Sequence, residues 1–429
     1  MDSELRTAIL KLLDFCQAND WAGYDPYDAL NSKIFEALPF LNSRIPRIVL
    51  TQGLKRSPFN IRKLLFIPKL QNAKAIALFL AAFIKLSRAE EVNVGHLIPT
   101  MVDRLIALRS PGVPYWCWGY SFPWQTRTII VPAGAPNLVC TTFVASALLD
   151  AYEQSQDSTC LSMAVSAAEY ILNELYWSGD GSAAGFSYPQ PSLQLEVHNA
   201  NFLAAALLCR VYKHTGEEKF IAPALRVARY SAAKQRADGS WWYAEEPSQR
   251  WIDNFHTGYN LCALRSISRN SNTAEFDSCI RKGFDFYRAH FFRKDGAVRY
   301  FHDRTYPIDI HCVAQSIITL VELQDLDSSN IPLARSVLHW AVNRMWNDRG
   351  YFYYRVLRSG TIRTPYMRWS LAWMFLAMST MLCDSHVAAK NPQTKLHPVS
   401  LKPASRLTTQ PEVHTHPVEI QETRDSCRN

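Results

Sequence analysis

An acid–glycine turn set among aromatic residues occurs four times in this chain, and it constrains the fold more than any other feature. The copies are Tyr176-Trp177-Ser178-Gly179-Asp180-Gly181, Asp238-Gly239-Ser240-Trp241-Trp242-Tyr243, Phe291-Phe292-Arg293-Lys294-Asp295-Gly296 and Trp346-Asn347-Asp348-Arg349-Gly350-Tyr351. From Asp180 through Asp238 and Asp295 to Asp348 the spacings are 58, 57 and 53 residues. An amphipathic helix precedes each turn. A polar, aromatic lead-in follows, and then a helix that is apolar nearly all round and rich in small residues. One apolar stripe marks a helix with a wet side, whereas apolar residues on every side mark a buried one. Alternation of the two types at such a period describes helical hairpins packed side by side.

The register extends backwards to apolar helices at Leu138–Tyr152 and Ala75–Leu86, which makes six inner helices and about as many outer ones. Six hairpins can close into a ring, and a closed ring needs no polar capping repeat, of which the sequence has none. The expected fold is an all-α (α/α)6 toroid, a six-hairpin barrel forming one domain over residues 1–384. Short β-hairpin-like turns are expected at Gly185–Tyr188 and Tyr351–Tyr354. Residues 1–70 fit the register least. Residues 385–429 hold no aromatic residue and no glycine but five prolines. Such a stretch buries too little apolar surface to offset its ordering entropy, so it reads as a disordered tail with solvent-exposed histidines.

The chain has 429 residues, 48% of them hydrophobic and 20% charged, enough for a large core. Low-complexity, collagenous and small disulfide-stapled classes are excluded. Forty-six Lys+Arg against 38 Asp+Glu give a formal charge of +8. Read as mild and dispersed, this excess lends slight support to an acidic substrate and argues against nucleic acid, which calls for a concentrated basic stripe. No apolar signal core follows the acidic start. The longest uncharged apolar stretches, Ala75–Ile84 and Trp369–Cys383, fall short of the ~20 residues a bilayer span needs. Ten cysteines lie scattered without a C-x-x-C pair. Buried free thiols in a reducing cytoplasm are expected.

In such a toroid all inner helices start at one end, where free N–H groups and positive dipole ends favour anions. The residues at those starts are polar and aromatic: His198, Asn199 and Asn201; Asp253, Asn254, His256, Tyr259 and Asn260; Asp309 and His311; Tyr366 and Arg368. His256 leads the candidates, because Asp253 three residues before it and Asn260 four after it share its helical face. A carboxylate beside an imidazole holds its tautomer and raises its basicity, as a general base requires. Tyr259 can donate or accept a proton. The same residues would also serve as a cap, a core histidine and a packed tyrosine. His198 beside Asn199 and His311 beside Asp309, at similar register, favour the catalytic alternative, since three imidazoles would converge on one cavity. Arg368 reads as an anion binder or a structural ion pair.

Residues Pro111–Pro136 form the longest non-helical segment, with five prolines, the aromatics Trp118, Tyr120 and Trp124, and a single charge, Arg127. Exposed aromatic faces are surfaces on which sugar rings stack; the same side chains can pack as a lid. Trp242 of the second turn and Asp25 in the segment Trp21–Asn31 complete the binding candidates, with helix capping the alternative role for Asp25.

The repeat, its aromatic turns and the inner helix His256-Thr257-Gly258-Tyr259-Asn260-Leu261 resemble the (α/α) toroid superfamily of carbohydrate-active enzymes. That superfamily includes N-acylglucosamine 2-epimerases, unsaturated glucuronyl hydrolases and several polysaccharide lyases. The segments Trp21–Asn31 and Trp116–Arg127 resemble uncharacterised toroid proteins of prokaryotic exopolysaccharide clusters, and the resemblance spans roughly residues 10–385. It implies a cytoplasmic protein of surface polysaccharide biosynthesis that acts on an acidic or N-acylated sugar by acid/base chemistry. No cofactor or metal is implied; the partners would be a sugar or oligosaccharide and polysaccharide-synthesis proteins, not nucleic acid. His256 or Tyr259 would be the base, with His198, Asn199 and Arg368 neutralising a carboxylate. Epimerase, lyase and hydrolase chemistry all stay open, the last needing paired acids such as Asp253 with Asp309 or Asp25. A non-catalytic glycan-binding or scaffold toroid is the alternative, because fold analogy does not fix chemistry. Terpenoid-cyclase toroids need Asp-rich runs that are missing here. Zinc cyclase toroids are matched by Trp116-Cys117-Trp118-Gly119, but His311-Cys312 is reversed, and zinc needs a third ligand.

Overall fold

Residues whose side chains are apolar all round become the inside of a ring. The computed structural model describes residues 2–390 except 91, 127 and 128. In chain order the helices are α1 (Asp2–Ala18), α2 (Ile34–Ala37), α3 (Arg44–Arg56), α4 (Ala73–Ala89), α5 (Leu97–Ala107), α6 (Leu138–Ser155) and α7 (Ser158–Tyr170). Then come α8 (His198–Thr215), α9 (Glu218–Ala233), α10 (Asn254–Ser271), α11 (Asp277–Phe291), α12 (Ile310–Glu322), α13 (Asn330–Met345) and α14 (Trp373–Lys390). Around the inside, α4 packs on α6, α6 on α8, α8 on α10, α10 on α12, α12 on α14, and α14 returns to α4. Each also carries one outer helix: α5, α7, α9, α11 and α13 in turn, and α1 on α14. This is the (α/α)6 toroid.

The two helix types differ in burial as their patterns demand. Along α12 every residue from Ile310 to Val321 is buried except Ile318. Along α9 burial is confined to Phe220, Ile221, Ala224, Val227, Ala228 and Ser231, one stripe at helical spacing.

The acid–glycine turns are seats between neighbouring hairpins. Gly239 has φ +89°, and a Cβ there would lie 2.3 Å from the Lys282 carbonyl oxygen on α11, so only glycine fits. The turn at Gly296 meets Ser336 of α13 in the same way, and the turn at Gly350 meets Lys11 of α1. These three turns thus rest on the next outer helix round the ring, and the first helix of the chain takes the place after the last. The N-terminal residues that fitted the repeat least therefore close it.

Short antiparallel strands decorate the end where the inner helices begin. β1 (Trp124–Gln125) pairs with β2 (Ile130–Val131), and β3 (Tyr176–Ser178) pairs with β4 (Ala184–Phe186). β5 (Ile308–Asp309), β6 (Trp346–Asn347), β7 (Tyr351–Phe352), β8 (Arg355–Leu357) and β9 (Gly360–Ile362) follow. β6 pairs with β7 as a hairpin, whereas β5, β8 and β9 form a three-stranded sheet that the sequence pattern does not announce. α14 runs on to Lys390, so the backbone of the first six residues of the expected tail is helical; 391–429 lie outside the described residues. The nine described cysteines are all free thiols. No described helix is long and apolar enough to cross a membrane.

Candidate active site

Side-chain caps set the start of four inner helices. Asn72 accepts from the Lys74 N–H, Asn137 from Cys140, Asp253 from His256 and Asp309 from His311. Val197 and Tyr366 occupy the cap position of the other two without a side-chain bond. The second residue after each cap points the same way in all six helices. Lys74, Val139, Asn199, Phe255, His311 and Arg368 all line one cavity of about 600 Å³ at the axis of the ring. His256 and Tyr259, further along α10, line it too. Tyr120, Phe122 and Trp124 from the long loop and Gln52 and Arg56 from α3 wall its other side. A π-helical turn, Met367–Ala372, precedes α14 and carries Arg368 and Trp369 into the same space.

Asp253 both caps α10 and orients its histidine. One oxygen accepts the His256 N–H at 3.0 Å; the other lies 2.7 Å from His256 Nδ1 and also accepts Trp251 Nε1 at 2.9 Å. A carboxylate oxygen at Nδ1 is an acceptor for the ring hydrogen there, which leaves Nε2 as the ring nitrogen free of Asp253.

His311 is held differently. Its ring lies between Phe255 and Trp373, each with its centroid 4.6 Å away, and is 1% exposed. Its Nε2 is 2.6 Å from the Tyr259 hydroxyl. Burial, reinforced by the charges of Lys74 and Arg368, holds its pKa well below the usual imidazole range. Burial likewise pushes the Tyr259 phenol well above its usual range. The pair is therefore a neutral phenol and a neutral imidazole that can relay one proton. Asp309 stands behind, capping the His311 N–H, accepting Trp369 Nε1 at 2.9 Å and paired with Arg355.

A consequence for stability follows with a definite sign. Below about pH 6.5 the unfolded chain protonates His311 while the folded chain resists, so this group makes stability fall as pH falls. From pH 7 to 5 its contribution is at most about 2 kcal/mol. Urea unfolding at both pH values should show a smaller decline in His311→Phe than in the wild type; an equal decline refutes the assignment.

Lys74 is the residue that pattern reading missed. It is 3% exposed. Its ammonium lies 4.0 Å from the Phe143 ring centroid, 5.3 Å from Trp373 and 5.6 Å from Tyr259, and no described carboxylate pairs with it. Burial, then the charge of Arg368, holds its pKa well below the lysine range. The signal was a lysine two residues after an Asn cap, immediately before one of the two longest uncharged apolar stretches.

Other candidates lie elsewhere. Arg368 faces the cavity, but its Nε and one terminal nitrogen bond both Asp25 oxygens at 2.7 and 2.8 Å, which places Asp25 behind it rather than in the binding surface. His198 is fully buried with Nε2 at 2.9 Å from Glu245, off the cavity. It is the first residue after its cap, whereas Asn199, the second, lines the wall; one residue is a rotation of about 100°. Two imidazoles converge, not three. Trp118 is wholly buried, its Nε1 donating to the Leu105 carbonyl at 2.7 Å, because this half of the aromatic loop packs as core. Trp242 stacks on the Arg236 guanidinium at 4.1 Å, away from the cavity. Arg127 lies outside the described residues. Among the described residues no three of His, Cys, Asp and Glu come together as a metal set.

The fold and its axial cavity define a six-hairpin toroid, and solved structures share that architecture. Cellobiose 2-epimerase from Bacillus thermoamylovorans matches with TM-score 0.58 and 11% identity, over 73% of this chain and 88% of that one. A glycoside hydrolase family 76 α-mannanase from Bacteroides thetaiotaomicron gives 0.56 and 12%, over 73% and 86%. A sugar epimerase from a ruminal bacterium gives 0.55 and 13%, over 73% and 87%. At these identities the likeness is one of fold. No protein-family model and no curated protein matches the sequence.

Proposed function

We propose that the cavity binds an anionic sugar, carboxylated or N-acylated and carboxylated, and moves a proton at one of its carbons, as an epimerase, isomerase or lyase does. One observation carries this reading: two imidazoles, six phenols, two guanidinium groups (Arg56, Arg368) and Lys74 line the cavity, and none of its lining residues is a carboxylate. Ordinary glycoside hydrolysis needs two carboxyl groups facing the bond, ~5 or ~6.5–9.5 Å apart. Here Asp253, Asp309 and Asp25 stand behind His256, His311 and Arg368 with their oxygens engaged. The acids serve the bases and cations instead of the substrate.

In this reading His256 Nε2 removes the proton and Asp253 steadies the imidazolium that forms. Tyr259 and His311 deliver a proton or hydrogen-bond the oxygen on which charge develops. Arg368, Arg56 and Lys74 stabilise the carboxylate as it takes up that charge. The Asn199 Oδ1 and His311 Nδ1 atoms are buried without a described partner, and sugar hydroxyls would satisfy them. Trp124 offers a ring face for the sugar. Epimerases and a glycoside hydrolase share this fold, so the choice between them rests on the cavity lining. The resemblance of Trp21–Asn31 and Trp116–Arg127 to exopolysaccharide-cluster toroids supports a cytoplasmic place in surface polysaccharide synthesis.

The test is proton exchange. Incubated in D2O with uronic acids, uronate oligomers and N-acylated amino sugars, the protein should place deuterium on a carbon next to a carbonyl or carboxyl group of one of them, read by proton NMR. Sugar retained by the protein without exchange or conversion would make it a glycan-binding toroid and end the enzymatic reading.

A further inference from the structure

The basic excess is not dispersed. Residues 44–69 carry seven Lys+Arg and no Asp or Glu, against a formal charge of +8 for all 429 residues. One of the seven, Arg62, is buried in a pair with Asp28 at 2.8 Å. Among the described residues the other six make no ion pair. The same stretch breaks the rule of burial. Of the 13 exposed large apolar side chains among the described residues, nine fall between Leu38 and Leu70. Phe40, Ile45, Val49, Phe59, Leu64 and Phe66 are each 63–75% exposed. On α3, Ile45, Val49, Gln52 and Arg56 share one face: its N-terminal half is exposed and its C-terminal half, Gln52 and Arg56, reaches the cavity.

This exposed face is held in place. Arg62 bonds both oxygens of Asp28 and the Asp25 carbonyl, which ties residues 57–70 to the ring. Phe66 has φ +52°, a left-handed conformation that is costly for a phenylalanine, and it still presents its ring to solvent. An insertion between α1 and α4 thus displays aromatic and aliphatic side chains among unpaired cations.

We propose that this face, α3 and the loop to Leu70, seats on an anionic lipid bilayer. Phenyl and leucyl side chains enter the boundary between headgroups and acyl chains, while Lys and Arg meet the anionic headgroups. A stretch whose charges are all of one sign fits a surface of the opposite single sign better than the mixed charges of a typical protein partner. Because α3 also walls the cavity, docking sets the cavity mouth beside the membrane surface, where a lipid-linked or membrane-delivered sugar would be met. The inference stands on the insertion alone and does not need the sugar reading.

Flotation of the full chain with vesicles decides it. With about one third phosphatidylglycerol in phosphatidylcholine, at about 0.1 M salt, the bound fraction should exceed that on pure phosphatidylcholine at least about tenfold, and high salt should weaken it. The triple variant Phe59→Ser/Leu64→Ser/Phe66→Asn and the pair Arg44→Glu/Lys63→Glu should each lose most of that binding while keeping the wild-type circular dichroism spectrum and melting temperature. Binding of either folded variant at the wild-type level overturns the proposal. So does failure of the wild type to float, and so does a lipid-independent dimer that the triple variant dissociates, which would assign the face to a second copy of the chain.

Discussion

Replacing His256 with glutamine should lower turnover of the sugar substrate by about 10²–10⁴-fold, the range ascribed to a positioned general base. Glutamine keeps an amide hydrogen for Asp253 but has no basic nitrogen to turn towards the cavity. His256 is a safe residue to change, because its side chain is 20% exposed and its backbone cap bond to Asp253 does not depend on the ring. Loss should fall on kcat more than on KM, since the missing interaction belongs to the proton transfer. Asp253→Asn should preserve the helix cap and lose part of the rate by removing the charge that holds the Nδ1 hydrogen. Steady-state kinetics with unfolding curves on both variants reads this directly. If His256→Gln turns over at the wild-type rate while folded, the base is another group, and Lys74 and Tyr259 become the candidates.

Asp25→Ala should destabilise the fold by about 3–5 kcal/mol, the cost of stranding one member of a buried ion pair. Asp25 and Arg368 are 5% and 4% exposed and share two hydrogen bonds. Removing the carboxylate leaves a guanidinium with little water and deprives the Tyr27 N–H of its acceptor at 3.0 Å. The pair joins residues 343 apart in sequence, the start of the insertion and the last inner helix. The double change Asp25→Leu/Arg368→Met should recover much of the loss, because removing both charges also removes their desolvation cost. Urea midpoints of the three proteins test it; a single variant within about 0.5 kcal/mol of the wild type, the usual range for surface changes, sinks the assignment.

How much of the site was legible follows from the distance over which each contact acts. Asp253 and His256 are a local pair, three residues apart, and the sequence pattern exposes them. Tyr259 meets His311 only because neighbouring inner helices α10 and α12 pack, and Arg368 meets Asp25 only when the two ends of the chain come together. The sequence pattern does not single out Lys74, because it sits at the edge of an apolar run and its surroundings are Phe143, Trp373 and Arg368, which other helices supply. His198 resembles His256 and His311 in sequence, yet it is the first residue after its cap where His311 is the second, and that turns its ring towards Glu245. The charge of residues 44–69 was readable from the start, but a whole-chain total hides position.

The sequence by itself determined the hairpins, the division into inner and outer helices, and the closed ring, because periodicity states which face of each helix must be dry. Only the tertiary structure decided which outer helix closes the ring and which side chains share the cavity. Each inner helix turns about 100° per residue, so a start known to within one or two residues leaves the direction of every side chain open until the caps and neighbours set it.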